Sequence, residues 1–218
     1  ALGAMMAEIT HEIRNPLVSI GGFTRRLARK VTDPDAKKYI DIIMSEVGRL
    51  EGIIHDNLAY IKNVGPQFSR TPLNNVIEEV LLVYEDELRQ RGISIERDLS
   101  PEVRGLDIDP QQIKQAVVNL VANAMEAMEK GGALTVRTYP GADSREAVME
   151  IGDTGPGISP ESMHNLFNPY YTTKVRGTGL GLPITHRIVQ AHKGNIVFRN
   201  KETGGAVFSI RLPVPQEK

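Results

Sequence analysis

The chain contains no cysteine, and that single absence removes disulfides, thiolate metal sites and cysteine nucleophiles together. Nor is there a charge surplus: 26 basic and 27 acidic residues leave a net charge of −1, so neither nucleic acid nor an anionic membrane is expected as the main partner. No apolar run approaches the ~18 residues that cross a bilayer, and no leader pattern is visible at the start. These absences lead us to expect a cytoplasmic chain, or the cytoplasmic part of a membrane-anchored one. The opening residues Ala1-Leu2-Gly3-Ala4-Met5-Met6 lack an initiating Met and already read as helix, as a fragment of a longer protein would.

What is present is 218 residues, 40% of them hydrophobic, enough to bury a core in one or two domains. From Leu2 through Met6, Ile9, Ile13, Pro16, Ile20 and Phe23 to Leu27, apolar or helix-compatible residues recur at alternating spacings of four and three, the mark of a heptad seam. After the breaker Thr32-Asp33-Pro34 a second seam runs over Ala36, Ile40, Ile43, Val47, Leu50, Ile54 and Ile61, interrupted at Asn57. Two long helices joined by a short loop predict an all-α hairpin. One hairpin cannot cover two broad apolar faces, so pairing with a second copy into a dimeric four-helix bundle is the economical solution, and a homodimer is expected. The alternative is a hairpin that stays intramolecular and packs on a second domain.

The breakers in Asn63-Val64-Gly65-Pro66-Gln67 read as a linker, which divides the chain into domains at 1–66 and 67–218. Beyond the linker, helices are predicted over 73–91, 110–130 and 183–192, and strands over 93–99, 133–139, 147–152, 195–200 and 206–212, with a loop-rich stretch from 153 to 181. This order predicts an α+β two-layer sandwich with a mostly antiparallel sheet.

Placing the seam residues at heptad positions a and d puts His11 at f, on the solvent side and unnecessary for packing. Glu8 and Asn15 lie one turn before and after it, and Glu12 adjoins it. An imidazole of ordinary pKa, ~6.5, is largely neutral at cellular pH and keeps one nitrogen able to attack phosphorus. A carboxylate at the other nitrogen holds the proton there and stabilises the cation as a phosphoryl group arrives, and Glu12 is the nearest candidate. Pro16 lacks an N–H and crowds the carbonyl of Glu12, so the helix is expected to loosen beside the histidine. The segment His11-Glu12-Ile13-Arg14-Asn15-Pro16-Leu17 resembles the phosphoacceptor box of sensor histidine kinases, the sensory half of two-component signalling. The resemblance implies that Glu12 assists phosphoryl transfer, and that Asn15 helps orient a water that dephosphorylates the partner, a second, phosphatase activity.

A second constellation follows. Asn119 and Asn123 stand four apart, so one helix face carries both amides, and amide oxygens can ligate Mg²⁺. Asp153-Thr154-Gly155-Pro156-Gly157-Ile158 follows a strand; its glycines permit a tight turn, and the Asp153 carboxylate can accept from an exocyclic adenine amine. Arg176-Gly177-Thr178-Gly179-Leu180-Gly181-Leu182 opens a helix, so backbone N–H groups and the positive helix end face an anion, with Lys174 and Arg176 just before it. This is neither a Walker loop, which needs a Lys-Ser/Thr after the glycines, nor a dinucleotide fingerprint, which belongs early in a parallel βαβ unit.

In order, the paired Asn, the Asp-x-Gly-x-Gly turn, Phe167 within Asn165-Leu166-Phe167-Asn168-Pro169-Tyr170-Tyr171-Thr172-Thr173-Lys174 and the final glycine loop resemble the N, G1, F and G2 boxes of the histidine-kinase ATP domain. The match is nearest the nitrogen-regulation type. The resemblance implies ATP and Mg²⁺ as cofactors: Asn123 binds the metal, Asn119 the nucleotide, and Asp153 with Gly155 and Gly157 reads adenine. The loop from Phe167 to Gly181, including Thr173, Lys174, Arg176, Gly177, Thr178, Gly179 and Leu180, is a lid over the phosphates. It also implies an upstream sensor domain outside this chain, and a response-regulator receiver domain as partner. Asn168, Tyr170, Tyr171 and Pro183 depart from that type. Gyrase-like and chaperone ATPases share the ATP fold, making hydrolase the alternative, but they carry a water-activating Glu where this chain has Asn119, whose amide takes up no proton at neutral pH. A non-catalytic dimerisation module is the third reading.

Overall fold

The computed structural model describes residues 2–61, 65–142, 145–174 and 177–215, without the side chains of 2–12, 14, 55, 56 and 59–61. These residues form two compact units: 2–61 with 170–174 and 177–180, and 65–142 with 145–169 and 181–215.

The first unit is built on two helices, α1 (Leu2–Ala28) and α2 (Pro34–Ile61). The turn between them is made by the residues that read as a breaker. Leu27 O accepts from the N–H of Lys30 and Val31, at 2.9 and 3.0 Å, closing α1. The Asp33 carboxylate then accepts from the N–H of Asp35 and Ala36, at 3.4 and 3.3 Å, and Pro34 occupies the first helical position, where its missing N–H costs nothing. α1 runs unbroken through Pro16, so the expected loosening does not interrupt the helix.

The seam is shared out differently from the heptad reading. Leu17, Gly21 and Thr24 of α1 are buried, as are Ile40, Val47 and Ile54 of α2. A Cβ at Gly21 would stand 3.2 Å from Val47 Cγ1, so a residue without a side chain lets the two helices approach there. By contrast Ile13, Ile20, Phe23 and Leu27, assigned to the seam, are exposed, Phe23 to 69%, and so are Ile43 and Leu50. Periodicity marks the apolar face but does not say which half of it meets the partner helix of the same chain. Asn57, the interruption, turns its amide back to donate to Ile53 O at 2.8 Å.

The second unit has a five-stranded sheet in the order β2-β4-β5-β7-β6, formed by Ile93–Leu99, Gly132–Pro140, Glu146–Gly152, Ala206–Pro213 and Asn195–Asn200. Only β2 with β4 is parallel; the other three pairings are antiparallel. On it pack α3 (Leu73–Gln90), α4 (Pro110–Ala127) and α6 (Gly181–Ala191). Two elements inside predicted loops are additional: a ribbon of β1 (Ser69–Pro72) and β3 (Gly105–Ile108), and the one-turn α5 (Pro160–Met163). The ribbon strands have four residues each and β1 buries none of them, too short a stretch for alternation to register. α4 ends three residues before the predicted Lys130, because Met128 turns inward to 2% exposure and the positive φ of Gly131 reverses the chain. Among the described residues no helix is long and apolar enough to cross a membrane.

Asp109 starts α4. Its Oδ1 accepts from the N–H of Gln111 and Gln112, at 3.0 and 3.1 Å, while Oδ2 accepts from Gln67 N–H at 2.8 Å. The backbone N–H of Asp109 donates to Nε2 of buried His192 at 2.9 Å, and His192 Nδ1 lies 2.8 Å from Ile188 O. That geometry places the imidazole proton on Nδ1. Asp109→Ala is expected to cost about 1–2 kcal/mol, a lost cap plus partly buried N–H groups left without an acceptor. Urea denaturation checks this, with Asp109→Asn, which keeps an amide oxygen for the cap, recovering more than half of the loss.

Candidate functional site

α4 buries Ile113, Ala116, Val117, Leu120, Val121 and Ala124 against the core, which leaves Asn119 and Asn123 half-buried on another stripe of the helix. Asn119 faces the start of α6. Its Nδ2 donates to Gly181 O at 3.0 Å and to Thr185 Oγ1 at 3.3 Å, and the Thr185 hydroxyl donates to Gly181 O at 2.9 Å. Its nitrogen end is turned to α6, so the oxygen end is the one offered to a ligand. Hard oxygen donors on an accessible helix face suit Mg²⁺, which keeps waters and takes phosphate oxygens for the rest of its shell. Among the described residues no group of three or more His, Asp or Glu could hold a metal ion.

Asp153 ends the strand β5 and is 6% exposed. Its Oδ1 accepts from Gly155 N–H at 2.8 Å and from Ala206 N–H at 3.3 Å, and its own N–H donates to Ala206 O at 2.9 Å. One carboxylate oxygen therefore shapes the turn, while Oδ2 accepts from no described residue. Two glycines are required here. A Cβ at Gly155 would approach Ala127 O to 2.7 Å, and Gly157 has φ +77°. Beside them Asn200 grips Ile158 at both ends: Oδ1 accepts its N–H and Nδ2 donates to its carbonyl, each at 2.8 Å.

Phe167 packs as an anchor, its ring 5.0 Å from His186 and 6.0 Å from Phe198. The stretch 170–180, in the first unit, is closed at its base by Tyr170 N–H donating to Gly179 O at 3.0 Å. Tyr170 there takes φ 66°, a region few side chains enter. Within the loop, Thr172 Oγ1 accepts from Lys174 N–H and Thr178 Oγ1 from Leu180 N–H, at 3.1 and 3.3 Å. Gly177 N–H donates to Lys174 O, Thr173 is exposed and Leu180 is buried. Arg176 lies outside the described residues. His11 and Glu12 lie on α1, their side chains outside the description, and Asn15 on the same helix is exposed.

The family model of the histidine kinase-, DNA gyrase B- and HSP90-like ATPases matches residues 108–216, and that of the His Kinase A (phospho-acceptor) domain matches residues 1–63. The chain belongs to the histidine kinases. It is similar to the signal transduction histidine-protein kinase AtoS of Escherichia coli, 32% identical over 98% of this chain and 35% of that protein. It is also similar to sporulation kinase C of Bacillus subtilis, 35% identical over 98% of this chain and 49% of that protein; it thus spans less than half the length of either. Among solved structures it resembles histidine kinase ThkA in complex with response regulator protein TrrA, with a TM-score of 0.72 and 35% identity over 98% of this chain and 62% of that one. Full-length ShkA in complex with AMPPNP shares the fold, with a TM-score of 0.82 and 21% identity over 96% of this chain and 45% of that one.

In this histidine kinase Pro183, a departure at the level of sequence, is buried in the first turn of α6, where a helix needs no N–H from it. Thr185 and Asn200 escaped the reading of motifs. Thr185 lies outside the glycine loop, four residues after Gly181, and only that spacing could have flagged it; Asn200 carries no local signal, because its partner Ile158 is 42 residues away. Asn200→Ala is expected to lower stability by about 1 kcal/mol, the loss of two exposed hydrogen bonds. Thermal denaturation checks this, with Asn200→Asp, which keeps the acceptor and loses the donor, falling between.

Proposed function

We propose that this chain is the catalytic region of a two-component sensor kinase. Residues 67–218 bind ATP, residues 1–66 carry the acceptor His11, and the phosphoryl group passes on to an aspartate of a response regulator. One observation carries the choice over hydrolase: the position that would need a water-activating carboxylate is Asn119, whose amide takes up no proton and whose nitrogen is turned to Gly181 and Thr185. A site with a nucleotide face and no base for water suits an enzyme whose acceptor is a side chain.

In this reading Asp153 Oδ2 accepts from the adenine amine, and the first-turn N–H groups of α6 face the phosphates. Mg²⁺, when bound, neutralises phosphate charge, with Asn123 as its protein ligand and Asn119 beside it. Lys174 and Arg176 add positive charge from the loop. A ring nitrogen of His11 bonds to the γ-phosphorus as the bond to the β–γ bridging oxygen breaks and ADP leaves; Glu12 holds the imidazole proton at the other nitrogen. Asn15, exposed on the same helix, orients the water for dephosphorylating the regulator. The complex of the similar kinase ThkA with TrrA supports a receiver domain as partner. The apolar face left exposed by α1 and α2 supports a homodimer, its second copy covering Ile20, Phe23 and Leu27.

Incubation with γ-labelled ATP and Mg²⁺ is expected to give acid-labile, alkali-stable label on the protein, lost in His11→Gln and in Asn123→Ala. Steady phosphate release from unlabelled protein would point to the hydrolase instead. In sedimentation the protein is expected to run as a dimer and Phe23→Glu to shift it towards monomer, since a charge at an apolar interface goes unpaired; a wild-type monomer at micromolar concentration would refute the pairing.

A further inference from the structure

We infer that Thr185 is a positioning residue for the nucleotide, its buried hydroxyl setting the orientation of the Asn119 amide and tying α4 to the first turn of α6. The inference rests on the reading of this region as an ATP site.

Thr185 is completely buried, 0% exposed. A helical threonine commonly donates to the carbonyl four residues back, and here it donates to Gly181 O at 2.9 Å. What is unusual is the third member. Asn119, 66 residues earlier in the chain, donates to the same hydroxyl oxygen at 3.3 Å and to the same carbonyl at 3.0 Å. A hydroxyl has one hydrogen, and Gly181 O receives it, so its lone pairs are what the amide meets. With the amide reversed, Asn119 Oδ1 would face the Gly181 carbonyl, acceptor against acceptor. The pair formed by Gly181 O and Thr185 Oγ1 therefore selects the rotamer in which nitrogen points to α6 and oxygen points away from it.

Two parts of the nucleotide site are linked in this way. The amide face belongs to α4 and the anion-facing N–H groups to α6, and no sequence-local contact sets their separation. The triangle of Asn119, Gly181 and Thr185 does so at its two short ends. Thr185 touches neither nucleotide nor acceptor in this scheme; it acts through Asn119 and Gly181. Without the hydroxyl the half-buried amide keeps only the Gly181 carbonyl as acceptor on α6, and that carbonyl loses one of its two side-chain donors.

The test uses Thr185→Val, which keeps the shape and removes the hydroxyl, Thr185→Ala, which removes it without new bulk, and Thr185→Ser, which restores it. By calorimetry both hydroxyl-free variants are expected to bind ATP about tenfold more weakly than wild type, the loss of one hydrogen bond, and Thr185→Ser to stay within about twofold. His11 labelling at saturating ATP should be unchanged while the ATP concentration for half-maximal rate rises by the same factor. In ¹⁵N-resolved NMR the Asn119 side-chain amide resonances should coincide in wild type and Thr185→Ser, and shift with faster hydrogen exchange in Thr185→Ala. Wild-type affinity in both Thr185→Val and Thr185→Ala overturns the proposal. So does a Thr185→Ser variant as weak as Thr185→Val, since packing of the methyl would then be what matters. If wild type binds no ATP at all, the nucleotide reading fails and the proposal with it; if wild type binds and only the variants fail to differ, the positioning role alone is lost.

Discussion

The second unit depends on how α4 is held. Its N-terminus is fixed by one carboxylate, Asp109, which caps the helix with Oδ1 and holds the incoming chain at Gln67 with Oδ2. Its middle is fixed by Asn119, which reaches across to α6. Burying a stripe of aliphatic side chains places the helix on the sheet, but burial is not directional; the polar contacts at these two points set its rotation and its distance from α6. The amides of Asn119 and Asn123 face where they do because the opposite stripe is apolar. A chemical pair on one face is thus a by-product of core packing on the other.

The same economy shapes the turn after β5. Asp153 is nearly buried, and one of its oxygens accepts two backbone N–H groups, from Gly155 and Ala206. Burying a carboxylate is costly unless such donors surround it, and here those donors come from the turn itself and from the start of β7. A residue that holds the turn is also the residue whose second oxygen is offered to a base. In the proposed reading this joins recognition to structure, because the oxygen assigned to adenine belongs to a side chain that the turn already holds.

On the hairpin, apolar residues exceed what one pair of helices can cover. Leu17, Gly21 and Thr24 of one helix and Ile40, Val47 and Ile54 of the other are buried, and close approach of Gly21 to Val47 is permitted by the absence of a side chain. Ile13, Ile20, Phe23 and Leu27 stay outside. Heptad spacing records the whole width of an apolar face, and both the contact within the hairpin and the face left outside it obey the same period, so spacing alone does not divide the residues between them.

By itself the sequence determined what local chemistry controls. Asp33-Pro34 stops one helix and starts the next because a carboxylate caps and a proline lacks an N–H. The boundaries of β2 and β6 agree with their alternation and with the turns around them, and the order of motifs from His11 to Gly181 was legible because each needs a particular residue type at a particular spacing. Only tertiary structure decided the rest. The ribbon of β1 and β3 exists through pairing across about 35 residues, with too few side chains for a period to show. Phe167 is an anchor because His186 and Phe198 come to it from elsewhere in the chain. Thr185 and Asn200 matter through partners 66 and 42 residues away. A hydrogen bond depends on where two groups end up in space, and that is settled by the packing of whole elements.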